Sequence, residues 1–255
     1  MKVSIITICY NSEKYIRSAI ESVLNQTYVN IEYIIVDGNS SDTTVDIIKS
    51  YEPLFSGRMK WISEKDNGIY NAMNKGIAMV TGEIVGILNS DDFYTNQSVI
   101  ANVDKYFREK NVDAVYGDLL YIYANNIDKI QRYWKSGHYK ENAFLWGWMP
   151  PHPTIFVKKE VYEKYGCFNT DFTSAADYEF LLRVIHKEQI KLGYLSEILV
   201  KMRVGGKSNR SIKNRIRGNN EDRKAWKING LRPYCFTLYL KPARKILQYV
   251  YNYKK

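Results

Sequence analysis

Two adjacent carboxylates, Asp91 and Asp92, directly follow a short apolar run at residues 84–88, and they are the clearest candidates for chemistry in this sequence. A continuous apolar run is typical of a strand that is buried on both faces in a parallel sheet. Open α/β sheets bind ligands at the carboxyl ends of such strands. Neighbouring carboxylates both stay ionised only beside a cation, and a hard divalent ion that also holds phosphates is the natural partner. A solvated turn that caps the next helix is the alternative, because Ser and Asp also begin helices.

Polar residues also lie at the ends of the three apolar runs that precede this one. They are Thr7, Tyr10 and Asn11 at the first run, Asp37 after the second and Asp66 after the third. Each of them alone is explained by a turn or a cap. Because the carboxyl ends of parallel strands share one edge of a sheet, the four groups together favour a binding site.

Three further candidates lie in the second half of the chain. Trp146 belongs to an aromatic, proline-rich segment at 144–153 and offers a ring face on which a sugar can pack, or it simply packs inside a loop. His152 stands between two prolines and could donate to an acceptor or a phosphate, or be an ordinary loop residue. Asp177 lies in the first turn of an amphipathic helix predicted over 174–186. It either caps that helix or acts as a general base for an attacking hydroxyl.

The elements that must position these side chains follow from hydrophobic periodicity. Buried strands are predicted at 3–9, 31–36, 59–63 and 84–88, and helices at 13–25 with Ser12 as the cap, through Val45, Ile48 and Tyr51, and at 70–80. Strands that alternate with helices predict βαβ units and a mostly parallel sheet. A helix at 97–108, a strand at 112–116 and an antiparallel pair within 119–133 follow, the pair turning at Asn125-Asn126.

Glycine-rich phosphate loops are missing from the sequence. Neither G-x-G-x-x-G after Cys9 nor G-x-x-x-x-G-K-[ST] occurs. This argues against a dinucleotide oxidoreductase and a P-loop NTPase. Without a glycine cradle, phosphates would need a metal, which the aspartate pair offers.

The composition is that of an ordinary globular protein. The chain has 255 residues, 45% of them hydrophobic, and three cysteines that are far apart in sequence. They make neither a disulfide framework nor a zinc site, so a reducing, cytosolic setting is expected. No apolar run has the length of a membrane span, and no signal peptide is predicted.

The net charge of +10 is unevenly distributed. Residues 1–200 hold 21 Lys and Arg against 25 Asp and Glu, whereas residues 201–255 hold 16 against 2. This asymmetry predicts contact between the C-terminal part and a polyanionic surface, either a membrane or a nucleic acid.

Six segments occur in a characteristic order along residues 1–205. They are VSIITICYN at 3–11, EYIIVDGNSSDTT at 32–44, SEKDNGIYNAMNKGIA at 63–78, GEIVGILNSDD at 82–92, HPTIFVKKEVYEKYGCFN at 152–169 and AADYEFLLR at 175–183. With these segments in this order, the chain resembles the family 2 glycosyltransferases of the bacterial cell-surface polysaccharide type. Members of that family invert the anomeric carbon and use nucleotide-activated sugars. The resemblance implies an α/β protein with the GT-A fold, a mostly parallel central sheet flanked by helices, and a basic helical C-terminal extension.

The resemblance also implies roles for individual residues. Asp177 would be the catalytic base, and Asp91 with Asp92 would hold Mn²⁺ or Mg²⁺. The nucleotide would be bound by Thr7, Tyr10, Asn11, Asp37, Asp66, Asn89 and Ser90, and the acceptor by His152 and Arg183. Trp146 is a further acceptor candidate because of its aromatic segment. The donor is expected to be a UDP-sugar, with GDP and dTDP left open.

Two positions depart from the family pattern. Asn89 replaces the first aspartate of the usual D-x-D, and Gly38 leaves Asp37 without a second carboxylate. The charges of Asp91, Asp92 and Asp177 remain, so we expect an active enzyme. An inactive nucleotide-sugar-binding or scaffolding protein is the alternative.

The expected organisation is a GT-A domain at 1–205 and a basic, aromatic extension at 206–255. The domain would comprise a nucleotide-sugar-binding half at 1–118 and an acceptor-binding half at 119–205. A flexible glycine loop is expected at 205–208. In the extension, apolar residues among basic and aromatic ones suit an anionic membrane surface; they are Ile212, Ile216, Leu238, Leu240, Ile246, Leu247, Val250 and Tyr251.

We therefore expect a cytoplasmic protein, peripherally associated with the inner face of the membrane, that acts on a glycan or lipid-linked acceptor. A solvated helical tail or an oligomer contact remains an alternative for the extension. Nucleic-acid binding is not expected, because no DNA- or RNA-binding module is recognisable and the N-terminal crevice is acidic.

Overall fold

The computed structural model describes residues 1–205 and 212–250. The predicted glycine loop beyond Gly205 and the terminal Tyr251 lie outside the described residues. The same holds for the side chains of Ile212, Ile216, Ile246, Leu247 and Val250.

The described residues form a mixed sheet with helices on both sides. Its strands are β1 (Val3–Cys9), β2 (Ile31–Asp37), β3 (Met59–Ser63), β4 (Ile84–Ile87), β5 (Phe93–Tyr94), β6 (Ala114–Tyr123), β7 (Asn126–Trp134), β8 (Phe156–Lys158) and β9 (Leu192–Arg203). The helices are α1 (Ile16–Leu24), α2 (Thr44–Tyr51), α3 (Ile69–Ala78), α4 (Val99–Glu109), α5 (Lys159–Tyr165), α6 (Ala176–Leu181), α7 (Ile212–Ile228) and α8 (Thr237–Val250). A π-helical turn, Leu182–Lys187, continues α6, and short 3₁₀ turns occur at Glu52–Phe55, Ala143–Trp146 and His152–Thr154.

The first half of the sheet is parallel, as the alternating pattern predicted. The strand order is β3-β2-β1-β4-β8-β6-β9-β5, with β7 paired to β6. Strands β1 and β2 are buried along their whole length, which explains why their sequences are apolar without alternation. The second half adds antiparallel pairs, including the predicted one, which is formed by β6 and β7.

Antiparallel pairing brings the loop before β8 to the ligand-binding edge of the sheet. Gly86 in β4 lies opposite Phe156, and Ile84 lies opposite Lys158. The start of β8 is therefore next to the carboxyl end of β4. A side chain at Gly86 would meet the Phe156 ring at 2.6 Å, so this close approach requires glycine. His152 and the loop after β4 consequently lie at the same edge.

Helix α1 begins at Ile16 rather than at the predicted Glu13. The Ser12 carbonyl accepts hydrogen bonds from the amides of Tyr15 and Ile16, so a turn precedes the helix. The Ser12 hydroxyl is 3.0 Å from the Ser90 hydroxyl and does not cap the helix. Ser12 thus links the loop after β1 to the loop after β4.

The C-terminal extension packs on the rest of the protein over much of its described length. Trp226 is 1% exposed, and its indole donates to the Tyr178 hydroxyl at 2.9 Å. Leu238 is also buried, and the backbone of α8 comes so close to Gly147 that a side chain there would meet the Lys241 nitrogen at 2.5 Å. Over these residues the extension is therefore part of the core. No helix in the described ranges combines the length and the apolar character needed to cross a membrane.

Glu32 anchors the amino-terminal end of the sheet, opposite the candidate site. Its carboxylate is 3% exposed and accepts hydrogen bonds from the Thr81 amide and hydroxyl at 2.8 Å, from Ser4 at 2.7 Å and from Lys60 at 3.0 Å. Burial alone would raise the pKa of Glu32, but these hydrogen bonds outweigh burial and lower the pKa to about 2.

Replacing Glu32 by Gln is expected to lower the free energy of unfolding at pH 7 by about 3 kcal/mol. The pKa is lower in the folded state than in the unfolded chain, so the stabilisation is present above the ordinary pKa of 4.5 and is lost towards pH 2. Urea unfolding at pH 7 and pH 3 should give a much smaller difference at pH 3, with the exposed Glu163→Gln as a control. The same difference at both pH values would contradict this role.

Candidate active site

Asp92 supports the loop after β4 and is not placed to bind a metal. It is fully buried, and its Oδ2 accepts from the Asn89 amide at 2.9 Å while its Oδ1 accepts from the Arg203 amide at 3.3 Å. This arrangement does not support the predicted role of Asp92 as a metal ligand, because both oxygens already accept hydrogen bonds inside the protein. The same contact accounts for Asn89, since an aspartate there would place a second negative charge against Asp92.

Asp91 is the carboxylate of the pair that faces the site. It is only partly buried, and its carboxylate accepts no hydrogen bond from another side chain of the described ranges. Burial raises the pKa of Asp91, and the positive charge of Arg203 opposes that rise. Burial and the charge of Asp91 likewise raise the pKa of Asp92. A further cation beside Asp91 would therefore stabilise the ionised pair.

A metal fits this loop only together with a ligand. The described residues contain no cluster of three or more His, Cys, Asp or Glu side chains that could hold an ion. Mg²⁺ and similar ions are commonly held by one or two carboxylates plus substrate phosphates. Asp91 with a diphosphate is a donor set of this kind.

Arg203, at the end of β9, supplies a cation to the aspartate pair. Its Nη1 donates to the Asp91 carbonyl at 2.5 Å, and its guanidinium lies 4.9 Å from the Tyr15 ring and 4.8 Å from the Phe93 ring. The residue is 7% exposed, and its Nε is buried without a hydrogen-bond partner among the described residues. Burial lowers the pKa of Arg203, and the two aspartates oppose this shift. Sequence reasoning missed this residue, since 111 positions separate it from Asp92.

Asp177 forms a second polar group with His152 and Tyr70. Its Oδ2 lies 3.1 Å from His152 Nδ1, and its Oδ1 accepts from the Tyr70 hydroxyl at 3.1 Å. Burial and the charge of Asp177 raise the pKa of Tyr70 far above its usual range, so the phenol stays protonated and donates. The carboxylate remains 19% exposed and the imidazole 35% exposed. An oriented, accessible carboxylate of this kind can accept a proton from a hydroxyl.

The nucleotide-binding predictions divide into surface and buried residues. The Tyr10 side chain is 53% exposed at the end of β1, where it can contact a ligand. Asn11 has a positive φ of 48° and accepts from the Ser41 amide at 2.9 Å, so it joins the first two loops. Ser90 contacts Ser12 as described above, and Asp66 lies 2.6 Å from Lys75 Nζ.

Thr7 and Asp37 are not placed to contact a nucleotide. Both are fully buried. The Thr7 hydroxyl accepts from Tyr33 at 3.0 Å, while Asp37 accepts from the Ser40 amide at 2.9 Å and from the Ser63 hydroxyl at 2.7 Å. This arrangement does not support the predicted contacts of these two side chains with the base and ribose. Asp37 instead fixes the loop that follows β2.

Two predicted acceptor residues have other roles. Arg183 donates to the Glu179 carboxylate at 2.9 Å and to the carbonyls of Tyr165, Gly166 and Cys167, so it holds the end of α5 against α6. Its proposed acceptor contact is not supported by this arrangement. Trp146 is 54% exposed, and its ring contacts in the described ranges are with residues of the C-terminal extension. His152 alone of the three lies beside Asp177.

Comparison with known sequences identifies the family. Residues 4–166 match the family described as Glycosyl transferase family 2. An uncharacterised glycosyltransferase of Mycobacterium tuberculosis is 32% identical over 186 residues, which are 71% of this chain and 68% of that protein. A PGL/p-HBAD biosynthesis glycosyltransferase of Mycobacterium bovis is 26% identical over 208 residues, 81% of this chain and 78% of that protein.

Solved structures show the same fold. S. aureus TarS in complex with UDP-GlcNAc superimposes with a TM-score of 0.69 at 18% identity, covering 90% of this chain and 65% of that fragment. The mannosyltransferase PcManGT of Pyrobaculum calidifontis, in complex with GDP-Man and Mn²⁺, gives a TM-score of 0.68 at 20% identity. The match covers 94% of this chain and 68% of that chain. A longer TarS structure is covered to only 37% of its length. With a family match over more than half its length and this shared architecture, the chain belongs to glycosyl transferase family 2 and has the GT-A fold.

Proposed function

We propose that this protein transfers a sugar from a nucleoside-diphosphate donor to an acceptor hydroxyl, with inversion and with the help of a divalent metal. The observation that carries the proposal is the pairing of Asp177 with His152 and Tyr70 at the sheet edge that also holds the partly exposed Asp91. Asp177 can take a proton, and Asp91 can help to hold a diphosphate.

In the proposed reaction, Asp177 accepts the proton of the acceptor hydroxyl. The hydroxyl oxygen forms a bond to the anomeric carbon from the face opposite the diphosphate. The bond between that carbon and the diphosphate oxygen breaks, and its electron pair stays on the diphosphate. Tyr70 and His152 hold the two oxygens of Asp177 in place, so the carboxylate is oriented before the acceptor arrives.

Bound Mn²⁺ or Mg²⁺ would act as a Lewis acid that neutralises the departing diphosphate. Asp91 is the residue that would hold it, because Asp92 is used internally. Asn89, Asp92 and Arg203 would keep the Asp91 loop in position. The Mn²⁺ in the PcManGT complex supports the use of a divalent metal.

UDP is the proposed nucleotide, since TarS structures contain UDP-GlcNAc and UDP, although PcManGT contains GDP-Man. Tyr10 is the exposed aromatic residue that would contact the base. The proposed acceptor is a lipid-linked glycan used in bacterial cell-surface synthesis, at the inner face of the membrane. The relative named for PGL/p-HBAD biosynthesis and the basic extension support this setting.

Replacing Asp91 by Ala is expected to abolish metal-dependent donor binding. A panel of UDP-, GDP- and dTDP-sugars would be titrated calorimetrically with and without Mn²⁺, using the wild type and Asp91→Ala. We expect one donor to bind the wild type at least tenfold more tightly with Mn²⁺, and the variant to lose that gain. Asp46→Ala, on the exposed side of α2, is the matched control.

The same panel tests the proposed function itself. Absence of binding to every donor with any metal would contradict it. Binding without hydrolysis or transfer by the wild type would instead favour the inactive nucleotide-sugar-binding protein.

A further inference from the structure

An exposed cluster of aromatic side chains joins the acceptor half to the C-terminal extension. Trp146 lies 6.1 Å from Tyr234 and 5.4 Å from Phe236, measured between ring centroids, and the last two are 5.3 Å apart. Their exposed fractions are 54%, 49% and 38%. We call these three residues the aromatic cluster. Large rings that contact one another and still face solvent are typical of a surface that meets another apolar phase.

A basic concavity adjoins the aromatic cluster in sequence. It has a volume of about 580 Å³ and is lined by Arg223, Trp226, Lys227, Gly230, Leu231, Arg232 and Pro233. Its three cations are exposed and form no ion pair with a described residue. Arg232 is two positions from Tyr234 of the aromatic cluster, so the three cations and two of the three rings lie along residues 223–236.

The negative charges of the extension do not offset this concavity. Glu221 accepts from the hydroxyls of Thr173 and Ser174, and Asp222 pairs with Lys241 at 2.7 Å. These are the only carboxylate side chains in residues 201–255. Because both are bound internally, they do not neutralise Arg223, Lys227 or Arg232.

We propose that the aromatic cluster and the basic concavity together form the surface by which this protein docks on an anionic phospholipid membrane. Trp and Tyr favour the interface between water and hydrocarbon, where the rings would insert. Arg223, Lys227 and Arg232 would contact lipid phosphates. The proposal deepens the membrane setting in the proposed function, but its surface does not include the donor site.

The surface is also coupled to the candidate base. The α7 helix that carries Arg223 and Lys227 contacts the start of α6 through Glu221 and through the bond from Trp226 to Tyr178. Tyr178 directly follows Asp177. Docking through this surface would therefore hold Asp177 at a fixed position relative to the membrane that carries a lipid-linked acceptor.

The test measures flotation of the full-length protein with vesicles. One set is phosphatidylcholine, and the other is an equimolar mixture of phosphatidylcholine and phosphatidylglycerol. We expect binding to the anionic set only, and a loss of roughly fivefold in affinity for each charge removed in the variant Arg223→Gln/Lys227→Gln/Arg232→Gln. The variant Trp146→Ser/Phe236→Ser keeps the charge, and its affinity for the anionic vesicles is expected to fall roughly tenfold.

A charge-matched control distinguishes binding through this surface from non-specific electrostatic attraction of a basic protein to anionic vesicles. Lys49→Gln/Lys105→Gln/Lys110→Gln removes the same charge from exposed positions on α2, on α4 and directly after α4, and is expected to bind anionic vesicles within about twofold of the wild type. The proposal is overturned if the wild type does not bind anionic vesicles, if the control loses as much affinity as the basic variant, or if the aromatic variant loses none. Tighter binding to an oligonucleotide than to vesicles would also overturn it.

Circular dichroism and nucleotide-sugar titration on the same preparations distinguish the two proposals. A folded basic variant that binds donor but not vesicles would support the surface. Vesicle binding by a wild type that recognises no donor would leave the surface intact and contradict the proposed function.

Discussion

Asp177→Asn is expected to lower kcat for sugar transfer by about 10³-fold, within the range for loss of a general base. The amide has the shape of the carboxylate and can still accept from Tyr70, so the site should stay folded. It cannot take the proton of the acceptor hydroxyl. Steady-state transfer assays and calorimetric donor titration should show the loss in kcat with the donor Kd changed less than about threefold.

The matched control is Asp171→Asn, which removes an exposed carboxylate six positions earlier. It should leave kcat unchanged. Tyr70→Phe removes one hydrogen bond to Asp177 and is expected to cost about tenfold in kcat, because a bond to a charged group is worth about 1.5 kcal/mol or more. Full activity of Asp177→Asn would exclude Asp177 as the base and direct attention to His152.

Strands β1, β2 and β4 were predictable because they are almost entirely buried and rich in apolar residues. Strand β3 is partly exposed, yet the observed bounds of all four strands differ from the predicted ones by no more than one residue at either end. The start of α1 was less predictable, because the Ser12 hydroxyl contacts Ser90 instead of capping the helix. That contact joins loops 78 positions apart, and no local pattern contains it.

The sequence indicated where the acidic residues of the candidate site lie, but it did not indicate which residues contact them. Asp91 and Asp177 were identified as acidic residues at a strand end and a helix start, and both residues are partly exposed in the structure. Their neighbours were not found, since Tyr70 is 107 positions from Asp177 and Arg203 is more than 100 positions from Asp91. The internal bond of Thr7 was also not found, because the sequence does not show that this polar residue, inside a strand buried on both faces, contacts Tyr33.

Those distant partners show how the fold keeps buried charge in balance at the site. The carboxylates of Asp91 and Asp92 would repel each other in a region of low dielectric constant, and Arg203 lies where it opposes that repulsion. Tyr15 and Phe93 flank its guanidinium, which fixes the cation without adding a competing acceptor.

Arg203→Met is therefore expected to destabilise the metal-free protein by about 2 kcal/mol, in the range for loss of a hydrogen bond made by a charged group. It should also lower transfer activity by more than tenfold, because the Asp91 loop loses the bond to its carbonyl. Mn²⁺ with UDP should raise the melting temperature of the variant more than that of the wild type, since the ion would supply the missing charge. Differential scanning calorimetry with and without the ligands measures this.

The variant Arg203→Lys distinguishes the effect of the positive charge from that of the planar guanidinium group. Lysine keeps the positive charge but lacks the planar group that lies between Tyr15 and Phe93 and reaches the Asp91 carbonyl. We expect it to recover most of the lost stability but only part of the activity. If Arg203→Met were as stable as the wild type, or if Mn²⁺ with UDP stabilised both equally, Arg203 would not be the cation that balances the aspartate pair. The loop would then depend on the Asn89–Asp92 contact alone.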